Sequence, residues 1–222
     1  MDTRALRILD SVASPTGTTT MGNIPSTRIH VEKLSKEHEI IVVIGPTGAG
    51  KSSFINRAAM QNILEVGHKL HPCTKEVDHV ECTTPSKKQV VFVDTPSFSE
   101  EGGQKSVEKK IGDWLKRVYG KKIMVSGIIY LHRITDKRLT EPPYSQYEMF
   151  RKLCGESFHG RVVLVTTMWS DVKPDVGSRR EKEIIQNWGQ MLHGGSAVLR
   201  FNDTAESAWD IVQFLLQPMH RN

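Results

Sequence analysis

No apolar stretch in this sequence approaches the ~18 residues needed to cross a bilayer. Its N-terminus also lacks a basic start followed by an apolar segment, so neither a membrane span nor a secretory leader is expected. Cysteine is scarce. Three in 222 residues make no disulfide framework, and a reducing, cytoplasmic compartment is the simpler expectation. Blocks of one-signed charge are missing as well. The net charge is +5, but Lys and Arg alternate with acids, a balance that suits a polyanionic ligand without calling for nucleic acid as a partner.

What is present is an apolar run, Glu39-Ile40-Ile41-Val42-Val43-Ile44, that empties into Gly45-Pro46-Thr47-Gly48-Ala49-Gly50-Lys51-Ser52-Ser53. The spacing G-x-x-x-x-G-K-S predicts a buried strand, a phosphate-binding loop and the first turn of a helix. Glycines at 45, 48 and 50 let the backbone wrap a polyphosphate, and the loop N–H groups and helix N-terminus supply a positive field. Lys51 is placed to reach the β and γ phosphates as a point charge, and the Ser52 hydroxyl to ligate Mg²⁺. The binding set read from the loop is Gly45, Pro46, Thr47, Gly48, Ala49, Gly50, Lys51, Ser52 and Ser53.

Along the chain, residues 1–36 read as a flexible tail, because Ser11 to Ser26 is rich in Ser, Thr, Gly and Pro. Residues 37–218 read as one nucleotide-binding domain and 219–222 as a short tail. The loop helix is expected to run from Lys51 to about Ile63, an edge strand from Val77 to Cys82, and a buried strand from Gln89 to Asp94. A helix follows over 104–119, then buried strands over Ile123–Leu131, Arg161–Thr167 and Ala197–Phe201. Helices are expected over Tyr144–Leu153, Ser178–Leu192 and from Ala205 onward. Alternation of this kind predicts an α/β three-layer sandwich, a mostly parallel sheet with helices on both faces. Ligands bind such sheets at the carboxyl ends of the strands, where Gly45, Asp94, Thr167 and Asn202 all fall.

Asp94, in Asp94-Thr95-Pro96, stands where a second Mg²⁺-site carboxylate belongs, although Asp-Thr-Pro is also a good turn starter. Thr74 lies in the loop between them and could close over Mg²⁺ and the γ-phosphate, or be an ordinary loop threonine. The metal set is therefore Ser52, Thr74 and Asp94, and the catalytic candidates are Lys51 and Thr74. His68, His71, Cys73, His79 and Cys82 cluster in sequence, but their spacings match no compact zinc knuckle.

Gly45 to Ser53 running into Phe54-Ile55-Asn56, then Cys73-Thr74 and Asp94-Thr95-Pro96, resembles the translation-factor-related class of P-loop GTPases. Within it the chain is similar to septins, immunity-associated GTPases and chloroplast import-receptor GTPases. Tyr130-Leu131-His132-Arg133-Ile134-Thr135-Asp136 and Val165-Thr166-Thr167-Met168-Trp169 are similar to segments of a fungal group of stand-alone G-domain proteins. The resemblance implies GTP as ligand, Mg²⁺ as cofactor, slow hydrolysis and a nucleotide-switch role.

Several residues depart from the family pattern. Ser97 replaces the glycine of Asp-x-x-Gly, and Phe98 stands where Ras-like enzymes carry a water-positioning glutamine. An apolar side chain cannot orient water, so hydrolysis is expected to be slow or to need help from a partner. Dimer-activated relatives imply a second copy facing across the nucleotide. In the guanine motif, placing Thr166 first puts Trp169 at the usual aspartate, with Asp171 displaced by two. Trp169 stacking on the base and Asp171 reaching it, or a core tryptophan beside a loop acid, are both open readings. Asn202 is similar to a base-lining residue of the immunity-associated group. Arg133 is expected to pair with Asp136, the alternative being an interface charge. The rival functions are an ATP-binding P-loop protein and a non-catalytic nucleotide-binding scaffold.

Overall fold

Strand β2 (His38–Ile44) runs through the middle of the molecule. A computed structural model describes residues 25–66, 77–84, 87–96, 103–136, 147–155 and 158–217. Side chains of a strand point alternately to opposite faces. Ile40, Val42 and Ile44 therefore enter one hydrophobic core, while Ile41 and Val43 enter the other. All are fully buried, which is why the strand reads as an unbroken apolar run.

Strands β4 (Gln89–Asp94) and β5 (Val125–Arg133) flank β2 in parallel. Two more, β6 (Val162–Thr167) and β7 (Ala197–Arg200), continue the parallel order beyond β5. On the far side, β3 (Asp78–Thr83) pairs antiparallel with β4, and β1 (Ser26–Arg28) antiparallel with β3. The sheet has seven strands in the order β1-β3-β4-β2-β5-β6-β7.

Helices α1 (Lys51–Ala59) and α6 (Ala205–Leu216) cover one face through Phe54, Ile55 and Ala58 packed with Trp209, Val212 and Leu215. The opposite face is covered by α2 (Gly103–Gly120), α3 (Tyr147–Cys154), α4 (Pro174–Asn187) and α5 (Gly189–His193). Ile111, Trp114, Val118, Phe150, Ile184 and Met191 bury themselves there. Truncating a fully buried aromatic such as Phe54 or Phe150 to alanine removes ~3–5 kcal/mol. The three-layer architecture is the expected one.

Four boundaries differ from expectation. Residues from 26 onward are part of the fold: β1 covers β3, so β3 is not an edge, and Ile29, Val31 and Leu34 are buried. Three apolar residues at 29, 31 and 34 were too few to outweigh the polar stretch before them. Helix α1 stops at Ala59, where Met60 takes a left-handed conformation and the Asn56 side chain satisfies the next turn. Helix α4 begins at Pro174, a proline in the first turn where its missing N–H goes unused. The helical stretch expected to reach Leu192 breaks at Trp188 into α4 and α5. No helix among the described residues is long and apolar enough to cross a membrane.

Candidate nucleotide site

The loop leaves β2 at Gly45, whose φ of 151° lies outside the range ordinary residues favour. A Cβ at this position would sit 2.5 Å from the Leu131 carbonyl oxygen, so the chain crosses β5 at a distance only glycine permits. Gly50, at φ 88°, is the left-handed N-cap from which α1 starts. The Lys51 ammonium folds back over the loop and donates to Gly45 O at 3.1 Å and Pro46 O at 3.3 Å. Lys51 is 8% exposed, unusual for lysine, and these carbonyls solvate its charge.

Ser52, in the first turn of α1, donates its hydroxyl to Asp94 Oδ2 at 2.9 Å. The parallel register brings this about, because Val43 pairs with Asp94 and the loop then returns the chain above that position. Thr95 secures the turn after β4 by donating from Oγ1 to Val43 O at 2.9 Å. The hydroxyl and carboxylate expected to share a cation are therefore in contact, and Asp94 is 1% exposed. An oxygen-rich pair beside a phosphate loop suits Mg²⁺, which takes few protein ligands and completes its shell with water and phosphate. Thr74, Ser97 and Phe98 lie outside the described residues.

Arg133 ends β5 against the loop: a Cβ on Gly48 would lie 3.1 Å from its Nη1. It pairs with Asp136, as expected, at 3.2 Å from Nε and 3.0 Å from Nη2. Arg180 of α4 donates to the carbonyls of Ile134 and Thr135, at 2.9 Å each, and so fixes the turn that carries this pair. His132, buried beside them, is held below its usual titration range by desolvation, with Asp136 opposing.

At the end of β6 the two threonines part, Thr166 Oγ1 donating to Leu199 O at 3.2 Å. Thr167, not Thr166, faces the loop, donating from Oγ1 to Ala49 O at 3.1 Å. Met168 follows and leans over the loop, its Cε 3.7 Å from a Cβ placed on Gly50. Trp169 turns inward: its ring is covered by the Arg200 guanidinium and it packs against the core. Trp169 is partly buried. Asp171 is exposed and accepts from the Ser170 hydroxyl at 2.8 Å. Asn202 is exposed after β7, its N–H donating to Ser207 Oγ at 3.2 Å, and Asp203 forms a forked pair with Arg57. Pro46, Thr47 and Ser53 are partly exposed along the same rim.

Of the His/Cys cluster, His68, His71 and Cys73 lie outside the described residues; among the described residues no group of three or more potential metal-binding side chains occurs. Cys82 is buried with the α1 and α6 side of the sheet, its thiol pushed up to about 12 by burial. His79, on the opposite face, accepts a hydrogen bond from Trp114 Nε1 at 2.7 Å.

A phosphate loop leaving the central strand of a parallel sheet, with its lysine and serine answered by an aspartate on the adjacent strand, defines a P-loop nucleotide-binding protein. A profile of the 50S ribosome-binding GTPase family matches residues 40–165, more than half of the chain, and the chain belongs to this family. Among curated proteins it is similar to a probable FAD-binding monooxygenase ltbD of Aspergillus luteorubrus, 29% identical over 52% of this chain and 25% of that protein. It is also similar to the GTPase Era of Campylobacter jejuni, 33% identical over 33% of this chain and 26% of Era. The chain thus spans about a quarter of the length of these relatives. Among solved structures, Toc33 of Arabidopsis thaliana with GDP and Mg²⁺ superposes with a TM-score of 0.60 at 17% identity, covering 81% of this chain and 83% of Toc33. A structure addressing dimerization of the chloroplast translocon components Toc33 and Toc159 gives 0.64 at 13% identity, over 84% of each chain. Era of Aquifex aeolicus with GDP and AlF₄⁻ gives 0.56 at 14%, over 82% of this chain and 56% of Era.

Proposed function

We propose that this chain binds GTP with Mg²⁺, hydrolyses it slowly, and works as a nucleotide-dependent switch. The observation that carries the reading is the contact of Ser52 with Asp94 beside the buried Lys51 ammonium. Lys51 and the loop N–H groups would neutralise the phosphates, and Ser52, Thr74 and Asp94 would hold Mg²⁺. When bound, the cation would supply charge stabilisation to the phosphates. Met168, Asp171 and Asn202 border the base. The kinship we favour is with septins, immunity-associated and chloroplast import-receptor GTPases, in a cytoplasmic protein whose G domain runs from about residue 25 to 217.

A second copy facing across the nucleotide supplies what Phe98 lacks. Arg133 is suited to that interface, since it ends β5 beside Gly48 with 38% of its side chain exposed. Toc33 supports the idea, as dimerization is important for its GTPase activity. A second reading, nucleotide binding without hydrolysis, is favoured by Ser97 and Phe98 in the sequence. Calorimetric titration with GTP and ATP in Mg²⁺ tests base choice, and equal affinities would remove the guanine assignment. Phosphate release measured from low to high protein concentration tests turnover. A rise per protomer supports the dimer, and none at any concentration supports the non-catalytic reading.

A further inference from the structure

Met168 sits in the left-handed region, with φ 61° and ψ 39°. For a residue with a Cβ this costs roughly 1 kcal/mol or more, so its surroundings must impose it. Its neighbour makes the imposing contacts. Trp169 Nε1 donates to Thr166 Oγ1 at 3.0 Å, and that hydroxyl donates to Leu199 O of β7 at 3.2 Å. The Arg200 guanidinium lies over the indole, 4.2 Å from the ring centroid. Arg200 is itself held by a forked pair with Glu181 of α4, at 2.8 Å from Nε and 2.5 Å from Nη2. Glu181 is 6% exposed, so the pair is largely shielded from water on the carboxylate side. Helix α4 makes room for the ring at Gly177, where a Cβ would fall 2.8 Å from Trp169 Cζ3.

The indole is thus held by β6, β7 and α4 together. With Trp169 so seated and the backbone left-handed before it, Met168 lies across Gly50. We infer that Trp169, Arg200 and Glu181 are positioning residues for base recognition. By seating the indole they hold Met168 as an apolar wall over the loop and fix the turn that carries Ser170 and Asp171. Recognition of the purine ring depends on this clamp, whereas recognition of phosphate depends on Lys51 and the loop. The inference rests on the guanine-nucleotide reading above.

Competition binding on the full chain separates the two dependences, with Mg²⁺-GDP and Mg²⁺-pyrophosphate as probes. Trp169→Ala is expected to weaken GDP about tenfold while pyrophosphate stays within about twofold. The paired change Arg200→Met with Glu181→Gln, which leaves no lone buried carboxylate, is expected to act in the same direction. Trp169→Phe keeps a ring in the seat and is expected to retain GDP affinity; retained pyrophosphate binding shows that each variant is folded. Equal weakening of both ligands, or no weakening of GDP, overturns the clamp. If the unaltered chain binds pyrophosphate as tightly as GDP, the base reading falls before any substitution is made, and the clamp falls with it.

Discussion

The Ser52 hydroxyl lies 2.9 Å from Asp94 Oδ2, joining residues 42 positions apart in the chain. Two elements meet here, the first turn of α1 and the carboxyl end of β4, and neither forms a cation site alone. Their contact makes the ligand pair preorganised, so little ordering is required when Mg²⁺ and phosphate arrive. Ser52→Ala and Asp94→Asn are both expected to weaken Mg²⁺-dependent GTP binding by about 10–100-fold. Repeating the titration in EDTA checks the cause, because Mg²⁺-free binding should fall much less.

Lys51 is expected to act on phosphate directly. In the fold its ammonium is solvated by the Gly45 and Pro46 carbonyls, and a triphosphate would exchange these neutral acceptors for charged ones. Lys51→Ala is expected to cost about 3 kcal/mol of triphosphate affinity, roughly a hundredfold. Circular dichroism should be unchanged, since the loop is shaped by its glycines and by Thr167. Unaltered affinity in fluorescence titration would remove the site.

His79 makes the fold acid-sensitive. Desolvation is the main cause lowering its titration from 6.5 to about 4, with Asp78 opposing. Nε2 accepts from Trp114, which assigns the proton to Nδ1 in the folded chain. The unfolded chain takes up its proton near 6.5 while the fold refuses it until about 4. This contribution is therefore present above pH 6.5 and is lost as pH falls toward 4, by on the order of 3 kcal/mol. Urea unfolding across that range should show the loss, and a His79→Leu variant should show a flatter profile.

Phosphate binding was legible because spacing alone defines it: Gly45, Gly50, Lys51 and Ser52 act through local geometry. The placing of Asp94 beside the loop was legible because it closes an apolar strand at the carboxyl edge of a parallel sheet. The turn after β6 was not, since the directions taken by Met168 and Trp169 depend on the left-handed backbone that ends the strand. Arg200 and Glu181 gave no signal, being ordinary charged residues until β7 and α4 are brought together. The first strand hid behind a polar composition. Ser26 to Arg28 is ordered by pairing with β3 and by bonds such as Ser26 Oγ to Ala59 O at 3.0 Å, which no local propensity encodes.

Asn56 governs how the chain leaves α1 toward the segment that contains Thr74. Its Oδ1 accepts from Ile63 N at 3.1 Å and Leu64 N at 2.9 Å, and its Nδ2 donates to Leu64 O at 2.8 Å. The residue is 6% exposed, so water cannot replace these partners. Asn56→Ala leaves backbone groups unpaired, at about 1–3 kcal/mol each for those that stay dry. A loss of about 2–4 kcal/mol is expected, with Tm falling by roughly 2–4 °C per kcal/mol for a chain of this size. Asn56→Asp is the sharper test. A carboxylate keeps the two acceptor contacts but turns its second oxygen toward the Leu64 carbonyl, a repulsion that burial strengthens. Protonation replaces that oxygen with an O–H donor, so the folded form of this variant should hold its proton more tightly than the unfolded chain. Its deficit relative to the unaltered protein should then be large at neutral pH and shrink on acidification, the opposite slope to that of His79. Urea unfolding of both proteins at matched pH reads the difference directly, and a deficit independent of pH would mean that Asn56 Nδ2 contributes nothing to the turn.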